Sequence, residues 1–111
     1  MSDTYQIYLI SDSTGETLDR VFLAIKAQFK NIKYNVKSYF FTRTENQVIK
    51  IMEEASKKNN AIILYTIVDT SLSKFLANKG DEKKIPCFSV LGNLIMNFSK
   101  LLNQQASHVP S

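Results

Sequence analysis

The sequence has 111 residues, of which 44% are hydrophobic and 22% are charged, and these proportions are typical of one soluble globular domain. Its single cysteine excludes an internal disulfide, and no apolar run approaches the roughly 18 residues that cross a bilayer. The net charge of +4 comes from lysines dispersed near predicted helix ends, so we expect neither a nucleic-acid nor a membrane partner. Residues 1–4 carry no secretory-signal pattern, and the expected location is therefore the cytoplasm.

Two strand–helix pairs are predicted in the first half of the chain. Alternating residues at 5–10 favour a strand, and apolar residues at helical spacing favour a helix over 16–30. Aromatic and β-branched residues predict a second strand over 34–41. Thr44 is then placed to cap a helix over 45–58. The aromatic residues that close the second strand are expected in the sheet core: they are Tyr39, Phe40 and Phe41.

The second half of the chain repeats this alternation. Residues 61–68 are apolar almost throughout, which is typical of a parallel strand buried on both faces, so they are the predicted central strand. Asp69, or one of the two hydroxyl residues after it, is suited to cap a helix that ends near residue 80. A short strand at 85–88 contains a proline, which suits a sheet edge. A last helix over 90–103 has the clearest apolar stripe of the chain.

The order of these elements, βαβαβαβα with short connections, predicts an α/β fold. Helices that connect parallel strands lie on both faces of the sheet. We therefore expect a three-layer αβα sandwich around a mainly parallel sheet of about four strands, similar to the Rossmann and flavodoxin folds. Residues 1–103 form one predicted domain, and residues 104–111 form a tail or the start of a linker. His108 lies in that tail and has no evident catalytic partner.

The turn between the first strand and the first helix is the main candidate site. Loops at the carboxyl ends of parallel strands line the ligand crevice in such sheets, and the N-terminus of a helix favours anions. The turn could therefore bind a phosphate or present a carboxylate. Its composition equally suits a polar turn with a capping box between its second serine and its glutamate. The turn consists of Ser11, Asp12, Ser13, Thr14, Gly15 and Glu16.

Other charged residues are expected at the same edge of the sheet. Asp12 and Asp69 would end neighbouring strands, so both could hold one Mg²⁺ or act in general-base catalysis; alternatively, each caps a helix. Arg43 could hold an anionic group bidentately or pair with Glu45 or Asp12. Carboxylates outnumber cations here, which favours a site completed by a metal ion or a cationic partner. Cys87 is expected to be a buried apolar residue.

Three segments resemble one known family. Residues 7–17, IYLISDSTGET, closely resemble the opening of the pyruvate, phosphate dikinase regulatory protein family, which includes the phosphoenolpyruvate synthase regulators. Residues 62–69 are similar to the family's IVYTLVD segment, and residues 85–92 are similar to its IPCVDLLGPL passage. The resemblance spans essentially the whole chain.

The resemblance implies a bifunctional enzyme that is considerably longer than this chain. One activity is a serine/threonine kinase that uses ADP to phosphorylate a threonine of the dikinase. The other is a phosphate-dependent phosphorylase that reverses this step with release of pyrophosphate. The family's nucleotide-binding P-loop lies in its second half, whereas this chain resembles the N-terminal domain. We therefore expect no cofactor in this chain and no kinase activity from these residues alone. In the full-length protein we expect ADP to bind and Mg²⁺ to have a role.

The resemblance also implies that residues 11–16 bind phosphate or the target protein, which is a dikinase or a synthase. An oligomer is compatible with the sequence.

Two other interpretations stay open. One is a stand-alone α/β module that binds phosphate or docks a protein. The other is a small phosphoester hydrolase with Asp12 as nucleophile, although Thr14 stands where such enzymes usually place a second aspartate. The apolar face of the last helix is either core or partly a surface for the family's second half.

Overall fold

The computed structural model describes residues 4–107, 109 and 110; His108 lies outside the described residues, as do residues 1–3 and 111. Strands and helices alternate along the chain as predicted, and every boundary lies within three residues of the predicted one. The elements are β1 (Thr4–Ser11), α1 (Glu16–Gln28), β2 (Lys33–Tyr39), α2 (Glu45–Ser56), β3 (Ala61–Thr66), α3 (Thr70–Lys83), β4 (Cys87–Ser89) and α4 (Gly92–Leu102).

The four strands run parallel in one sheet, in the order β2-β1-β3-β4. β3 is an internal strand that is buried at five of its six positions, as its apolar sequence predicts. β4 is an edge strand that directly follows Pro86, where the missing N–H of proline is tolerated. The predicted α/β class, with a parallel four-stranded sheet and Rossmann-like connections, is thereby confirmed.

The core lies on both faces of the sheet, because successive residues of a strand point to opposite sides. On one face, β1 and β3 pack against α2 and α3; on the other face, they pack against α1. Helices therefore enclose the sheet in three layers. The residues buried on the first face include Tyr8, Ile10, Met52 and Leu76, and those buried on the second include Ile7, Leu9, Leu18 and Phe22.

Two predicted helix caps are confirmed, and they define the loops beside the crevice. At α2, Thr44 Oγ1 accepts a hydrogen bond from Gln47 N at 3.2 Å, and Thr44 N donates to Gln47 Oε1 at 3.0 Å. At α3, Asp69 Oδ1 accepts from Leu72 N at 2.9 Å. Each cap satisfies an N–H group that the helix leaves unpaired, which stabilises a helix by about 1 kcal/mol.

A polar cluster ties the end of β2 to α2. The Tyr39 hydroxyl donates to the Glu54 carboxylate at 2.9 Å, and Lys37 Nζ pairs with Glu54 Oε2 at 2.9 Å. The hydrogen bond from Lys37 lowers the pKa of the Glu54 carboxyl. The Tyr39 ring also stacks on Tyr8, with a centroid separation of 6.3 Å. Tyr39 is thus a half-buried part of the core, as predicted.

Of the two roles that the sequence leaves open for the apolar face of the last helix, the described residues do not show the core role. α4 carries the predicted apolar stripe, but none of its residues is buried. Leu94 and Phe98 are each 57% exposed, and Leu101 is 82% exposed. Helical periodicity shows that a face is apolar but not what covers it, and the described residues do not cover this one. Beyond α4, residues 104–107 and 109–110 form neither helix nor strand. Their assignment to a tail or a linker stays a prediction.

Among the helices that the structure describes, none is long and apolar enough to cross a membrane.

Candidate functional site

β1 and β3 end side by side, and this brings residues that are distant in sequence to one crevice. Ser11 pairs in register with Thr66, and Asp12 N donates to the carbonyl of Thr66 at 3.1 Å. The Asp12 carboxylate reaches the next loop, where Oδ2 accepts from Val68 N at 2.9 Å. Asp12 and Asp69 line one cavity of about 320 Å³, as their position after neighbouring strands predicts.

Asp12 is a buried carboxylate with an incomplete set of hydrogen bonds. The residue is only 4% exposed, and its Oδ1 has no hydrogen-bond partner in the part of the chain that the structure describes. Thr66 Oγ1 is also buried without a hydrogen-bond partner, and no other buried side-chain N or O atom of the described residues lacks one. An unpaired buried polar group costs about 1–3 kcal/mol. Because Asp12 lines the 320 Å³ cavity, its unpaired oxygen indicates a binding site there, whereas Thr66 lines another cavity, of about 840 Å³.

The first turn does not form the predicted capping box. The N-cap residue of α1 is Gly15, at a φ of 80°, and no side chain caps this N-terminus. Ser13 is held away from the helix instead, because its N donates to Ser11 Oγ at 3.0 Å and its carbonyl accepts from Phe41 N at 3.0 Å. The predicted cap by Asp12 is likewise wrong, since its carboxylate accepts a hydrogen bond from Val68 N in the loop after β3. The first N–H groups of α1 therefore remain available to an anion.

The remaining residues of the turn differ in their access to the crevice. Ser11 is fully buried, and its hydroxyl shapes the turn by accepting from Ser13 N. Thr14 and Glu16 are exposed and lie outside the residues that line the 320 Å³ cavity. Gly15 packs so closely on the Phe40 ring that a Cβ atom at this position would overlap it. Among the predicted residues, the structure thus brings Asp12, Asp69 and Arg43 to one cavity.

Arg43 reaches back over the first turn. Its Nε donates to the carbonyl of Asp12 at 3.0 Å, and its guanidinium carbon lies 5.6 Å from the centroid of the Phe41 ring. Among the described residues, the ion pairs do not include Arg43, so the alternative of a pair with Glu45 or with the Asp12 carboxylate is wrong. Arg43 N donates to Gln47 Oε1 at 2.7 Å, which holds the loop. The other guanidinium N–H groups can bind an anion.

Sequence reasoning missed two residues that build this loop. Phe41 was expected in the core, but it is 55% exposed and has a φ of 55°, because β2 ends at Tyr39 and the chain turns there. Thr42 is buried; its N donates to the carbonyl of Ser11 at 2.9 Å, and its Oγ1 donates to the carbonyl of Tyr39 at 3.0 Å. A left-handed Phe41 has no local sequence signal, since glycine and asparagine are the usual residues there.

Cys87 is a poor nucleophile. Its partly buried thiol donates to the carbonyl of Ile85 at 3.3 Å, and burial, followed by the charge of Asp81, raises its pKa from 9.0 to about 11. At pH 8 about 0.1% of such a thiol is ionised, compared with about 10% at a pKa of 9. We expect its alkylation by iodoacetamide at pH 8 to be at least about tenfold slower than that of free cysteine. The rate should still rise between pH 9 and 10; a plateau near pH 9 would contradict the raised pKa.

Comparison with known proteins gives a consistent set of relatives. A sequence profile described as kinase/pyrophosphorylase matches residues 7–111. A protein of Pelagibacter ubique (strain HTCC1062), named as a pyruvate, phosphate dikinase regulatory protein, is 92% identical over the whole chain, which covers 40% of that protein. A protein of the same name from Alkaliphilus oremlandii (strain OhILAs) is 35% identical over 94% of the chain. Another, from Desulfitobacterium hafniense (strain Y51), is 36% identical over 95% of the chain. The chain covers 37% of the length of each of these two proteins. The chain thus spans about two fifths of the relatives it matches.

Proposed function

The chain belongs to the kinase/pyrophosphorylase family, and we propose that it is the N-terminal part of a bifunctional regulatory enzyme and forms half of its active site. The names of its relatives support a pyruvate, phosphate dikinase as the target, and a phosphoenolpyruvate synthase is the second candidate. The observation that carries the proposal is the buried Oδ1 of Asp12, which has no partner among the described residues and belongs to a cavity that Arg43 also lines.

Both proposed activities transfer a phosphoryl group to an oxygen nucleophile. In the kinase direction, a threonine hydroxyl of the target attacks the terminal phosphorus of ADP, AMP leaves, and a base accepts the hydroxyl proton. In the reverse direction, inorganic phosphate attacks the phosphothreonine, pyrophosphate forms, and the proton returns to the threonine oxygen. Catalysis of such transfers depends mainly on positioning the reactants and on neutralising the charge of the phosphoryl oxygens.

Asp12 is suited to the proton transfer. Its Oδ2 is fixed by Val68 N, which holds the carboxylate in one orientation, while Oδ1 lacks a donor among the described residues. An ionised carboxylate oxygen accepts hydrogen bonds only, and a threonine hydroxyl would supply the missing donor once the crevice opens, because Oδ1 is itself buried. We therefore assign to Asp12 the role of general base for the target hydroxyl.

Arg43 and the N-terminus of α1 are suited to the phosphoryl group. The guanidinium is anchored through Nε on the backbone carbonyl of Asp12, and Arg43 lines the same cavity as the Asp12 carboxylate. The uncapped first turn of α1 begins outside the residues that line the cavity, so its N–H groups would act only on phosphate oxygens that extend beyond the cavity. One cation among several carboxylates supplies too little positive charge for a complete phosphate site. The remaining positive charge is expected from the nucleotide-binding second half of the family.

Mg²⁺ fits the donors at this edge. The ion binds proteins through one or two carboxylates and keeps several water and phosphate ligands. Asp69 is exposed, and its cap uses Oδ1, which leaves Oδ2 for a hydrated ion in the cavity that Asp12 also lines. A bound Mg²⁺ would neutralise charge on the phosphates. The described residues contain no group of three or more His, Cys, Asp or Glu that could form a closed metal site, so this chain would supply only part of the shell.

Calorimetric titration of the 111-residue chain tests the assignment. With Mg²⁺ present, we expect weak binding of inorganic phosphate that Arg43→Gln abolishes and Arg20→Gln preserves, because Arg20 is an exposed arginine of α1 that does not line the crevice. ADP should bind no more tightly than phosphate, since the P-loop is expected elsewhere. Equal phosphate binding by both variants would contradict the role of Arg43. Hydrolysis of a simple phosphoester by the chain alone, lost in Asp12→Asn, would instead favour the small hydrolase.

A further inference from the structure

The apolar face of α4 is uncovered in the part of the chain that the structure describes. The large apolar side chains of this helix are between 38% and 82% exposed. Lys100 is the one charged residue of the helix. The exposed side chains that share the apolar face are Leu94, Ile95, Phe98, Leu101 and Leu102. Met96 lies on the other side of the helix, where it lines a cavity of about 840 Å³.

This exposure distinguishes α4 from the other helices. Each of α1, α2 and α3 buries at least two apolar residues against the sheet or against its neighbour, whereas α4 buries none. An amphipathic helix of 11 residues gains most of its stability from packing, because its intrinsic tendency to form is marginal. Contiguous exposed apolar surface on a domain marks an interaction site. The face of α4 therefore requires a partner.

The course of the chain after α4 indicates which partner. Gln105 and Ala106 line a groove of about 380 Å³ along the helix, together with Leu94 and Phe98. Pro110 then lines the cavity that contains Asp12 and Arg43. The relatives are much longer than this chain, since it covers only 37–40% of their length, and the sequence resemblance is to the N-terminal domain. A segment added after residue 110 would therefore begin beside both α4 and the crevice.

We propose that the apolar face of α4 is the docking surface for the segment that follows residue 111 in the longer members of the family. A segment tethered this closely has an effective concentration in the millimolar range, so a contact made of apolar side chains suffices without charge pairs. Docking on α4 would also hold that segment beside the Asp12 crevice. The proposal depends on family membership and not on the phosphoryl chemistry above, and its test measures packing instead of activity.

Hydrogen exchange on the 111-residue chain and on the full-length Pelagibacter ubique relative tests this docking. The amides of α4 are expected to exchange at least about tenfold more slowly in the longer protein, while those of β3 are protected in both. Phe98→Ser, made at the corresponding position, should lower the Tm of the longer protein by about 3 °C or more and leave that of the 111-residue chain unchanged. Leu23→Ser is the matched control, since Leu23 of α1 is 65% exposed, and it should change neither.

Three results would overturn the proposal. The first is equal exchange of the α4 amides in the two proteins. The second is a Tm of the longer protein that responds to Phe98→Ser no more than to Leu23→Ser. The third comes from sedimentation: a dimer of the 111-residue chain that persists in the longer protein and dissociates with Phe98→Ser would assign the face to a second copy.

Discussion

Replacement of Gly15 by alanine is expected to destabilise the domain by about 2–5 kcal/mol. Gly15 has a φ of 80°, a conformation that costs an L-residue with a side chain about 1–2 kcal/mol. The new Cβ would also overlap the Phe40 ring, and overpacking of this kind costs about 1–3 kcal/mol more. A domain of this size has a total stability of about 5–15 kcal/mol, so the effect is large. Urea unfolding followed by circular dichroism measures it as a lower midpoint at an unchanged slope.

The Phe40→Ala background separates the two causes. On this background the overlap is absent, and Gly15→Ala should cost only the backbone term of about 1–2 kcal/mol. The difference between the two backgrounds is then the coupling between Gly15 and Phe40. A cost of Gly15→Ala below about 0.5 kcal/mol in the parent chain would contradict the close packing described here.

The substitution Asp12→Asn is expected to lower kcat for phosphoryl transfer by about 10²–10⁴-fold in the full-length Pelagibacter ubique relative. Asparagine retains an oxygen for Val68 N, so the carboxamide can keep the orientation of the carboxylate. It cannot accept the proton of the target hydroxyl at the position of Oδ1, which is unpaired among the described residues. The expected loss is therefore in kcat, with a much smaller change in the KM for ADP. Steady-state kinetics on the purified target protein provide the measurement.

Glu53→Gln is the matched control for this prediction. Glu53 is an exposed carboxylate of α2 and does not line the crevice, so its substitution should change kcat less than twofold, within about 0.4 kcal/mol. An Asp12→Asn enzyme that keeps kcat within about threefold of the parent would exclude Asp12 as the general base. A large loss confined to KM would assign Asp12 to binding instead.

The crevice and the α4 face together describe an incomplete enzyme. Asp12, Asp69 and Arg43 line one cavity, yet this set contains more negative than positive charge. α4 has an apolar face with no cover among the described residues. We expect the same additional segment of the longer relatives to supply both the missing cations and the missing cover. A substitution in the crevice would then be detected by enzyme kinetics, whereas a substitution on the α4 face would be detected by a change in stability.

Several features were predictable because their physical causes lie within a few residues. The apolar run at 61–68 predicts an internal strand, since a strand enclosed by helices on both faces has no polar side. Thr44 and Asp69 predict helix starts, because a cap bonds to an N–H only three residues away. The capping box at Ser13 failed for a non-local reason: the loop that follows β2 holds Ser13 through Phe41 N.

By itself, the sequence determined the order of the elements, the internal position of β3 and the location of the polar turn after β1. These depend on periodicity and capping, which act over one or two turns of chain. Only the tertiary structure decided that Asp12 reaches Val68, 56 residues away, and that Arg43 reaches Asp12, 31 residues away. It also decided that the α4 stripe is exposed. The reason is that strand register and helix packing join distant segments, and no local pattern states which segments will meet.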